Sequence, residues 1–258
     1  DNTLFENPTS EYRGAPFWAW NCKLDKKTLK TQIEYLKEMG LGGFHMHSRT
    51  GMATEYLGSE FMELISACVE KAEKEKMLAW LYDEDRWPSG AAGGLVTKNP
   101  QFRARKLVFT PEEITGCVSK DESVKTGKPY LVACFDIALS EKGELARYSR
   151  LSSPDENAGG DKWYAYLMTQ EASPWYNNQT YVDTLNGEAI EKFIEVTYEA
   201  YKKAVGDNFG NVIPAMFTDE PQFERKTTLN FATDKQPVTL PWTVDFPDTF
   251  KKANGFDI

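Results

Sequence analysis

Apolar and polar residues in the first part of the chain alternate between strand-like and helix-like spacings. Strand-like apolar runs, each bounded by turn residues, lie at 14–21, 41–47 and 78–83. Helical stripes lie between them, at Leu29, Ile33 and Leu36 and again at Phe61, Ile65, Cys68 and Ala72. Because strands that alternate with helices of this length form βα units, the pattern predicts a parallel sheet.

The spacing changes between positions 104 and 170, where no amphipathic helix is predicted. Four strand-like runs separated by turn residues lie there, at 104–109, 130–139, 145–151 and 163–169. A spacing of two residues is typical of strands with one buried face. We therefore predict an antiparallel β insertion over residues 104–170, in the loop after the third strand of the parallel sheet.

The βα pattern returns after position 170. It predicts a helix over 187–205, a fourth strand over 212–220 and a short helix over 246–254. A complete (β/α)8 barrel takes about 250 residues, yet only four βα-type strands are found. The predicted fold class is therefore α/β, of the (β/α)8 TIM-barrel type, with only the first half of the barrel present.

This interpretation divides the chain into three regions. Residues 1–103 form the first part of the barrel with strands one to three, and residues 104–170 form the β insertion. Residues 171–258 continue the barrel with its third helix, its fourth strand and the start of its fourth helix. We expect the rest of the barrel to be supplied by the remainder of a longer parent chain.

Composition excludes several classes of protein. The chain has 258 residues, with 30 basic and 39 acidic side chains and a net charge of −9. An acidic surface repels phosphate backbones, so nucleic acid is not an expected partner. No apolar run approaches the roughly 18 residues that a spanning helix needs, so membrane insertion is not expected either.

The four cysteines form no CxxC pair, which argues against a zinc site. Cys68 lies on a helical stripe and Cys134 in a strand-like run, and both are predicted to be buried thiols. Cysteine usage alone does not fix the compartment. We expect a periplasmic or secreted protein.

Polar clusters end three of the four predicted parallel strands, where the sites of α/β sheets and barrels lie. They lie at 45–49, 83–86 and 218–221, and the first strand ends in two tryptophans and an asparagine. We predict that these positions converge on one concave site. Its candidate substrate-binding residues are Trp18, Trp20, Asn21, His45, His47, Arg49, Asp83, Glu84, Trp87 and Asp219.

Alternation of side chains along a strand assigns these residues to faces. On the second strand, His45, His47 and Arg49 are expected to face the barrel axis, with Phe44 and Met46 outward. On the fourth strand, the axis-facing residues are expected to be Met216, Thr218 and Glu220, with Ala215 and Phe217 outward. For the third strand, alternation places Asp83 and Asp85 on one face and Glu84 on the other, without deciding which face is which.

Glu220 is the candidate catalytic residue. A carboxyl group at a strand end walled by aromatic rings loses hydration of its charged form, so it can hold a proton and donate it to a leaving oxygen near neutral pH. Pro221 would fix the turn that follows. The alternative is a structural carboxylate that pairs with Arg49 or another base.

His45 and His47 share one strand face, as two ligands of a metal ion would. Metal-dependent barrel hydrolases need further histidines on later strands, and the chain has only two. We therefore predict no metal and assign both residues to hydrogen bonds with substrate hydroxyls, with core packing as the alternative. The glycine-rich segment 87–94 lacks the lysine of a phosphate-binding loop, and no GxSxG motif is present.

Four motifs together resemble the N-terminal catalytic part of large bacterial glycoside hydrolases, in the α-L-rhamnosidase-like group around glycoside hydrolase family 106. They lie at 13–21, 42–51, 82–90 and 217–221, and the segment 181–186 fits the same pattern. The resemblance implies a (β/α)8 barrel that hydrolyses glycosidic bonds of plant or host glycans, α-L-rhamnosides among them, with two carboxylates. It matches Glu220 to the acid on the fourth strand, and it makes a carbohydrate the expected partner.

The resemblance also implies calcium and inversion of configuration, but the sequence shows no ligand set for calcium. No cofactor is therefore predicted from the residues themselves. The second carboxylate is expected on a later strand that this sequence does not contain, so the chain alone is expected to hydrolyse aryl glycosides poorly. The alternative function is that of a non-catalytic, carbohydrate-binding relative of such barrels.

Overall fold

The computed structural model describes residues 2–258, which belong to two compact units. Of the described residues, unit 1 contains 2–96, 175–177 and 191–221, and unit 2 contains 97–174, 178–190 and 222–258. The helices are α1 (Asn2–Glu6), α2 (Lys26–Glu38), α3 (Ser59–Glu75), α4 (Lys120–Thr126), α5 (Gly187–Val196), α6 (Tyr198–Val205) and α7 (Phe246–Asn254). The strands are β1 (Phe17–Trp20), β2 (Gly43–Ser48), β3 (Leu78–Tyr82), β4 (Arg105–Thr110), β5 (Tyr130–Leu139), β6 (Leu145–Leu151), β7 (Asp161–Thr169), β8 (Met216–Phe217) and β9 (Val238–Pro241).

Unit 1 contains a parallel sheet of four strands in the order β1-β2-β3-β8. The α/β class with a parallel sheet is confirmed, and the sheet is open, since residues 2–258 form no closed barrel. Gly43 permits the close approach of β2 to β3, because a Cβ atom there would lie 2.5 Å from the Leu78 carbonyl oxygen. The strands follow one another in the sheet in the order in which they occur in the chain.

One face of this sheet packs on helices. Trp20 is 1% exposed and lies edge-on against Phe61 of α3, with 5.6 Å between ring centroids. Trp18 donates a hydrogen bond from its indole nitrogen to Gln32 of α2 (3.0 Å) and lies edge-on against Phe44. We call this the helix-side face, and Phe44 lies on it as predicted.

The opposite face carries Phe17, His45, His47, Tyr82 and Phe217, whose rings contact one another. We call it the site face. His45 and His47 lie on it as predicted, but the prediction for β8 was wrong, because Phe217 shares this face. The register explains the error: Tyr82 pairs with Phe217, so both side chains project to the same side.

The β8 strand is also shorter than predicted. Only two residues, Met216 and Phe217, are in strand conformation. The strand begins late because Pro214 has no amide hydrogen to donate to a neighbouring strand. The predicted helix over 187–205 is divided into α5 and α6 at Thr197. The Thr197 hydroxyl donates back to the Phe193 carbonyl (2.5 Å), a bond that favours a bend in a helix.

Unit 2 contains an antiparallel sheet of five strands in the order β6-β5-β7-β4-β9. The four strands predicted between positions 104 and 170 are confirmed, and the bounds of β5 and β6 are as predicted. The prediction missed α4, a helix of seven residues. Ser119 caps its start by accepting a hydrogen bond from the Glu122 amide, and Gly127 ends it at a φ of 75°.

The assignment of residues 222–258 to the barrel was wrong, because these residues belong to unit 2. Their strand β9 pairs antiparallel with β4. Trp242, directly after β9, is buried in the apolar core of this sheet with Leu107, Tyr130 and Leu167. Phe246 of α7 packs against the same core, so this helix covers the antiparallel sheet instead of continuing a βα unit.

The thiols of Cys68 and Cys134 are buried, as predicted. Among residues 2–258, no helix has the length and apolar character needed to cross a membrane.

Asp183 gives unit 2 a pH-dependent stability. Its carboxylate is 3% exposed and accepts hydrogen bonds from the Thr243 hydroxyl (2.7 Å) and the Leu185 amide (3.1 Å). Burial raises the pKa of Asp183 from 3.8 to about 6. Between these two values the folded protein keeps a proton that the unfolded chain has released, so this group's contribution to stability falls as the pH rises.

We expect Asp183→Asn to remove this pH dependence. Urea unfolding between about pH 4 and pH 7 should show the free energy of unfolding of the wild type falling relative to the variant, by on the order of 3 kcal/mol in total. Glu188→Gln, which changes an exposed carboxyl of unit 2, is the control and should follow the wild type. A difference that stays constant with pH would contradict the assignment.

Candidate functional site

The centre of the site face is an aromatic cluster around Phe17. The ring of Phe17 lies edge-on against His45 (5.1 Å between centroids), Phe217 (5.2 Å), His47 (5.7 Å) and Tyr82 (5.7 Å). Phe17 itself is 55% exposed. The floor of the candidate site is therefore lined by aromatic rings, with the exposed ring of Phe17 at its surface.

His45 is bound to the backbone. Its Nδ1 donates to the Ala15 carbonyl (3.1 Å), and its ring stacks on Trp80 with 4.9 Å between centroids. Burial lowers the pKa of His45, which favours the neutral ring with its hydrogen on Nδ1. This arrangement is that of a packed core histidine, the alternative left open by the sequence.

His47 and Glu84 form a buried pair. The His47 Nε2 and Glu84 Oε1 atoms are 2.7 Å apart, and the His47 ring stacks on Tyr82 with 3.7 Å between centroids. The guanidinium of Arg49, an exposed residue, is 4.0 Å from the same oxygen of Glu84. This pair joins the ends of β2 and β3 on the site face.

The second carboxylate oxygen of Glu84 is the unusual atom of the site. Glu84 is 1% exposed, and its Oε2 is buried without a hydrogen-bond partner among the described residues. Burial raises the pKa of Glu84, and the hydrogen bond with His47 opposes that shift. An unpaired buried oxygen is costly, so this carboxyl group favours either a bound proton or a ligand that supplies a donor.

Asp219 presents a second carboxylate on the same face. Its Oδ2 accepts a hydrogen bond from the Tyr82 hydroxyl (2.6 Å), and the residue is partly exposed. Burial, followed by this hydrogen bond, raises the pKa of Tyr82, so Tyr82 remains a donor. Burial, and to a smaller extent the charge of Asp219, raises the pKa of Glu84.

Ser89 fixes the backbone of Asp219 from both sides. The Ser89 amide donates to the Asp219 carbonyl (2.9 Å), and the Asp219 amide donates to the Ser89 hydroxyl oxygen (2.8 Å). That hydroxyl donates in turn to Asp83 Oδ1 (2.5 Å). The glycine-rich segment 87–94 thus positions a carboxylate through its serine.

Asp83 does not belong to the site face. Its side chain is fully buried, and its Oδ2 accepts hydrogen bonds from the hydroxyls of Thr218 (2.6 Å) and Tyr198 (2.7 Å). Burial raises the pKa of Asp83, and the three hydroxyl donors oppose that shift. Its prediction as a substrate-binding residue is therefore corrected, because Asp83 joins β3 to the segment after β8 and to α6.

Glu220 is exposed, so the enclosing aromatic wall expected around it is not present. Its Oε2 accepts a hydrogen bond from the Trp87 indole nitrogen (3.3 Å). Its φ is +39°, a left-handed conformation that costs a non-glycine residue on the order of 1–2 kcal/mol. The structure therefore holds this carboxylate in a strained backbone beside one aromatic ring.

The predicted site residues separate into two groups. His47, Arg49, Glu84 and Asp219 are brought together on the site face, and Trp87 contacts Glu220. The prediction was wrong for Trp18 and Trp20, since both lie on the helix-side face. Asn21 is exposed directly after β1.

Sequence reasoning missed Tyr82, which alternation places on the same face as Glu84, and Phe17, whose face is decided by the register of β1 with β2. It also missed the segment 175–177. There, the Arg86 guanidinium donates to the Trp175 carbonyl (3.2 Å), and the Trp175 indole nitrogen donates to the Trp87 carbonyl. These contacts join positions almost ninety residues apart, and no local pattern predicts them.

The residues do not fit the calcium ion that the resemblance implies. Calcium takes about six to eight oxygen ligands, whereas residues 2–258 contain no group of three or more Asp, Glu, His or Cys side chains that could hold a metal ion. Asp83 is occupied by hydroxyl donors, and one oxygen of Glu84 is paired with His47.

The chain is similar to known proteins at the level of its fold. No family model matches the chain, and no curated protein sequence matches it. It is similar to a solved structure titled "Structure of Rhamnosidase from Novosphingobium sp. PP1Y", with a TM-score of 0.55 and 13% identity. The match covers 99% of this chain and 41% of that one, so the chain spans less than half the length of that rhamnosidase. At this identity the likeness shows a shared α/β fold alone.

The Ser89 contacts predict a specific effect of Ser89→Ala. The variant should lose on the order of 1–3 kcal/mol of stability, because it removes a donor to a buried carboxylate. It should also accelerate hydrogen exchange at the Asp219 amide, whose acceptor is deleted. Tyr198→Phe is the matched control, since it removes another donor to Asp83 without contacting Asp219.

Urea unfolding measures the first effect, and amide exchange followed by NMR measures the second. Both variants should be destabilised, and only Ser89→Ala should expose the Asp219 amide. Equal protection of that amide in the two variants would show that Ser89 does not position Asp219.

Proposed function

We propose that this chain is the first half of a (β/α)8-type catalytic domain of a glycoside hydrolase, with α-L-rhamnosides as candidate substrates. The observation that carries the proposal is the arrangement of carboxyl groups at the ends of β3 and β8. Glu84 and Asp219 share the site face, and Glu220 follows directly. Glycoside hydrolysis needs carboxyl groups held in different environments beside the sugar.

Glu84 and Asp219 lie in different environments. Glu84 is enclosed and its pKa is raised, whereas Asp219 is partly exposed and accepts a hydroxyl hydrogen bond. The exposed aromatic rings of Phe17 and Trp87 lie on the same part of unit 1, and such rings suit the apolar C–H face of a sugar. The combination of carboxyl groups and flat rings favours a carbohydrate over a phosphorylated or purely apolar ligand.

The half-barrel interpretation is supported by the order of the strands. Four parallel strands lie side by side in chain order, as successive strands of a barrel do, and the carboxylates lie at their carboxyl ends, where barrel enzymes act. The similar rhamnosidase structure is more than twice as long as the chain. We propose that the other strands are supplied by the remainder of a longer protein.

In the proposed mechanism, Glu220 donates its proton to the glycosidic oxygen as the bond from that oxygen to the sugar breaks. The hydrogen bond from Trp87 orients its carboxyl group, and the strained φ is of the kind that persists at functional sites. The partly exposed Asp219 accepts hydrogen bonds from sugar hydroxyls, while Glu84 stays buried and paired with His47. The carboxylate that activates water on the opposite side of the sugar comes from a strand across the barrel.

The alternative is a non-catalytic, carbohydrate-binding relative. The exposure of Glu220 favours it, because a proton donor usually works in an enclosed site. The two functions share the same sugar contacts and differ only in the consequence of changing Glu220.

Glu220→Gln separates the two. Its amide keeps an oxygen that can accept from Trp87 but has no proton to donate. In the longer protein we expect turnover of aryl α-L-rhamnoside to fall by about 100-fold or more, with the dissociation constant of methyl α-L-rhamnoside nearly unchanged. Glu144→Gln, an exposed carboxyl on unit 2, is the control and should retain full turnover.

The measurements are steady-state hydrolysis of a panel of aryl glycosides and calorimetric binding of the methyl glycosides, with the 258-residue chain alongside the longer protein. Binding without hydrolysis by either would favour the non-catalytic alternative. Full turnover by Glu220→Gln would exclude Glu220 as the acid. If neither protein binds or hydrolyses any glycoside, the proposed function is refuted.

A further inference from the structure

Residues 175–177 belong to unit 1, although the residues before and after them belong to unit 2. The sequence there allows such a short excursion. Asn177 and Asn178 both have left-handed backbone angles, with φ of 56° and 59°, and asparagine tolerates that conformation better than most residues. Two left-handed residues in succession let the chain turn back immediately after Tyr176.

Three hydrogen bonds hold this excursion against the segment that follows β3. The Trp175 indole nitrogen donates to the Trp87 carbonyl, and the Asn177 side-chain amide donates to the Gly93 carbonyl. The Arg86 guanidinium donates to the Trp175 carbonyl. Ordering a few residues costs conformational entropy, and here that ordering brings a second tryptophan to the side of Trp87.

The two tryptophans are anchored and exposed at the same time. Each is 40% exposed, although tryptophan is among the more buried residues on average. Their polar atoms are engaged, since the Trp87 indole nitrogen donates to Glu220 and that of Trp175 donates to the Trp87 carbonyl. The surface that they present is therefore ring carbon, held in a fixed orientation.

A fixed, exposed pair of indole rings in this position suits a sugar ring. The face of an aromatic ring is electronegative, and the C–H groups on one side of a pyranose ring carry partial positive charge. A rigid platform also loses little entropy when a ligand binds. Because Trp87 contacts Glu220, this surface is continuous with the carboxylates of the proposed site.

We propose that Trp87 and Trp175 form a binding platform for a second sugar ring, next to the ring that contacts Glu220. The preferred substrate is then an oligosaccharide, or a glycoside whose leaving group is itself a sugar, whereas an aryl glycoside occupies only the position beside Glu220. This inference rests on the proposed function and specifies the substrate class of the same site.

Binding of a ladder of ligands tests it. The probes are methyl α-L-rhamnoside, rhamnobiose and rhamnotriose, titrated calorimetrically into the 258-residue chain. We expect the dissociation constant to fall about tenfold from the monosaccharide to the disaccharide, the scale of one aromatic contact. The third ring should add little.

Trp175→Ala should remove this tenfold gain while leaving the monosaccharide's dissociation constant within about twofold of the wild type. Trp175→Phe keeps an aromatic ring and should retain part of the gain, which guards against a folding defect in the alanine variant. Tyr148→Ala is the control, because it deletes an exposed aromatic ring of unit 2. It should bind all three probes as the wild type does.

The outcomes distinguish this inference from the proposed function. If the chain binds the monosaccharide but binds rhamnobiose no more tightly, the platform is refuted and the proposed function stands. A gain that survives in Trp175→Ala likewise refutes the platform alone. If no probe binds the chain, the platform is refuted; if the longer protein also hydrolyses no glycoside, the proposed function fails as well.

Discussion

The candidate site depends on the burial of the Asp83 carboxylate. A buried carboxyl group is tolerated only when hydrogen-bond donors satisfy it. Asp83 accepts hydrogen bonds from the hydroxyls of Ser89, Thr218 and Tyr198. Each hydrogen bond to a charged group contributes on the order of 1.5–3 kcal/mol. These bonds join the end of β3 to the segment after β8 and to α6, so the positions of Asp219 and Glu220 follow from them.

Adjacent residues of one strand end have opposite tasks because side chains alternate. Asp83 projects to the helix-side face and stabilises the fold, whereas Glu84 projects to the site face with an unpaired oxygen. Alternation also gives Tyr82 to the site face, where it supports His47 by stacking and Asp219 by a hydrogen bond. A residue that stabilises the fold, Asp83, and a residue of the candidate site, Glu84, are thus neighbours in the sequence.

Sequence alone predicted what local spacing determines. The bounds of β5 and β6 were correct, because period-two runs bounded by turns are self-contained. The position of β9 was not predictable in this way, since its partner β4 is more than a hundred residues away. Trp18 and Trp20 were misassigned because an aromatic residue at a strand end packs equally well on a helix, and only the register with β2 decides the face.

Within the site, the sequence identified the carboxylates better than it identified their roles. Charged clusters at strand ends can be recognised in the sequence, but the burial of each side chain cannot. Asp83 and Glu84 were therefore predicted to have the same role. The role of Ser89 depends on two hydrogen bonds with the backbone of Asp219, one through the Ser89 amide and one through its hydroxyl, and Asp219 is 130 positions away. Such bonds leave no trace in composition or periodicity.

The backbone at Glu220 connects these findings. A left-handed glutamate is unfavourable in isolation, and it persists where neighbouring contacts over-determine the local conformation. Here both the amide and the carbonyl of the preceding residue, Asp219, are hydrogen-bonded to Ser89, and the Glu220 side chain accepts a hydrogen bond from Trp87. Both anchors come from the glycine-rich segment after β3, which is itself joined to Trp175. The hydrogen bonds of Asp83 therefore help to hold this short segment in place. Because the segment contacts both Glu220 and Trp175, the position of the proposed acid and the position of the proposed platform depend on the same contacts.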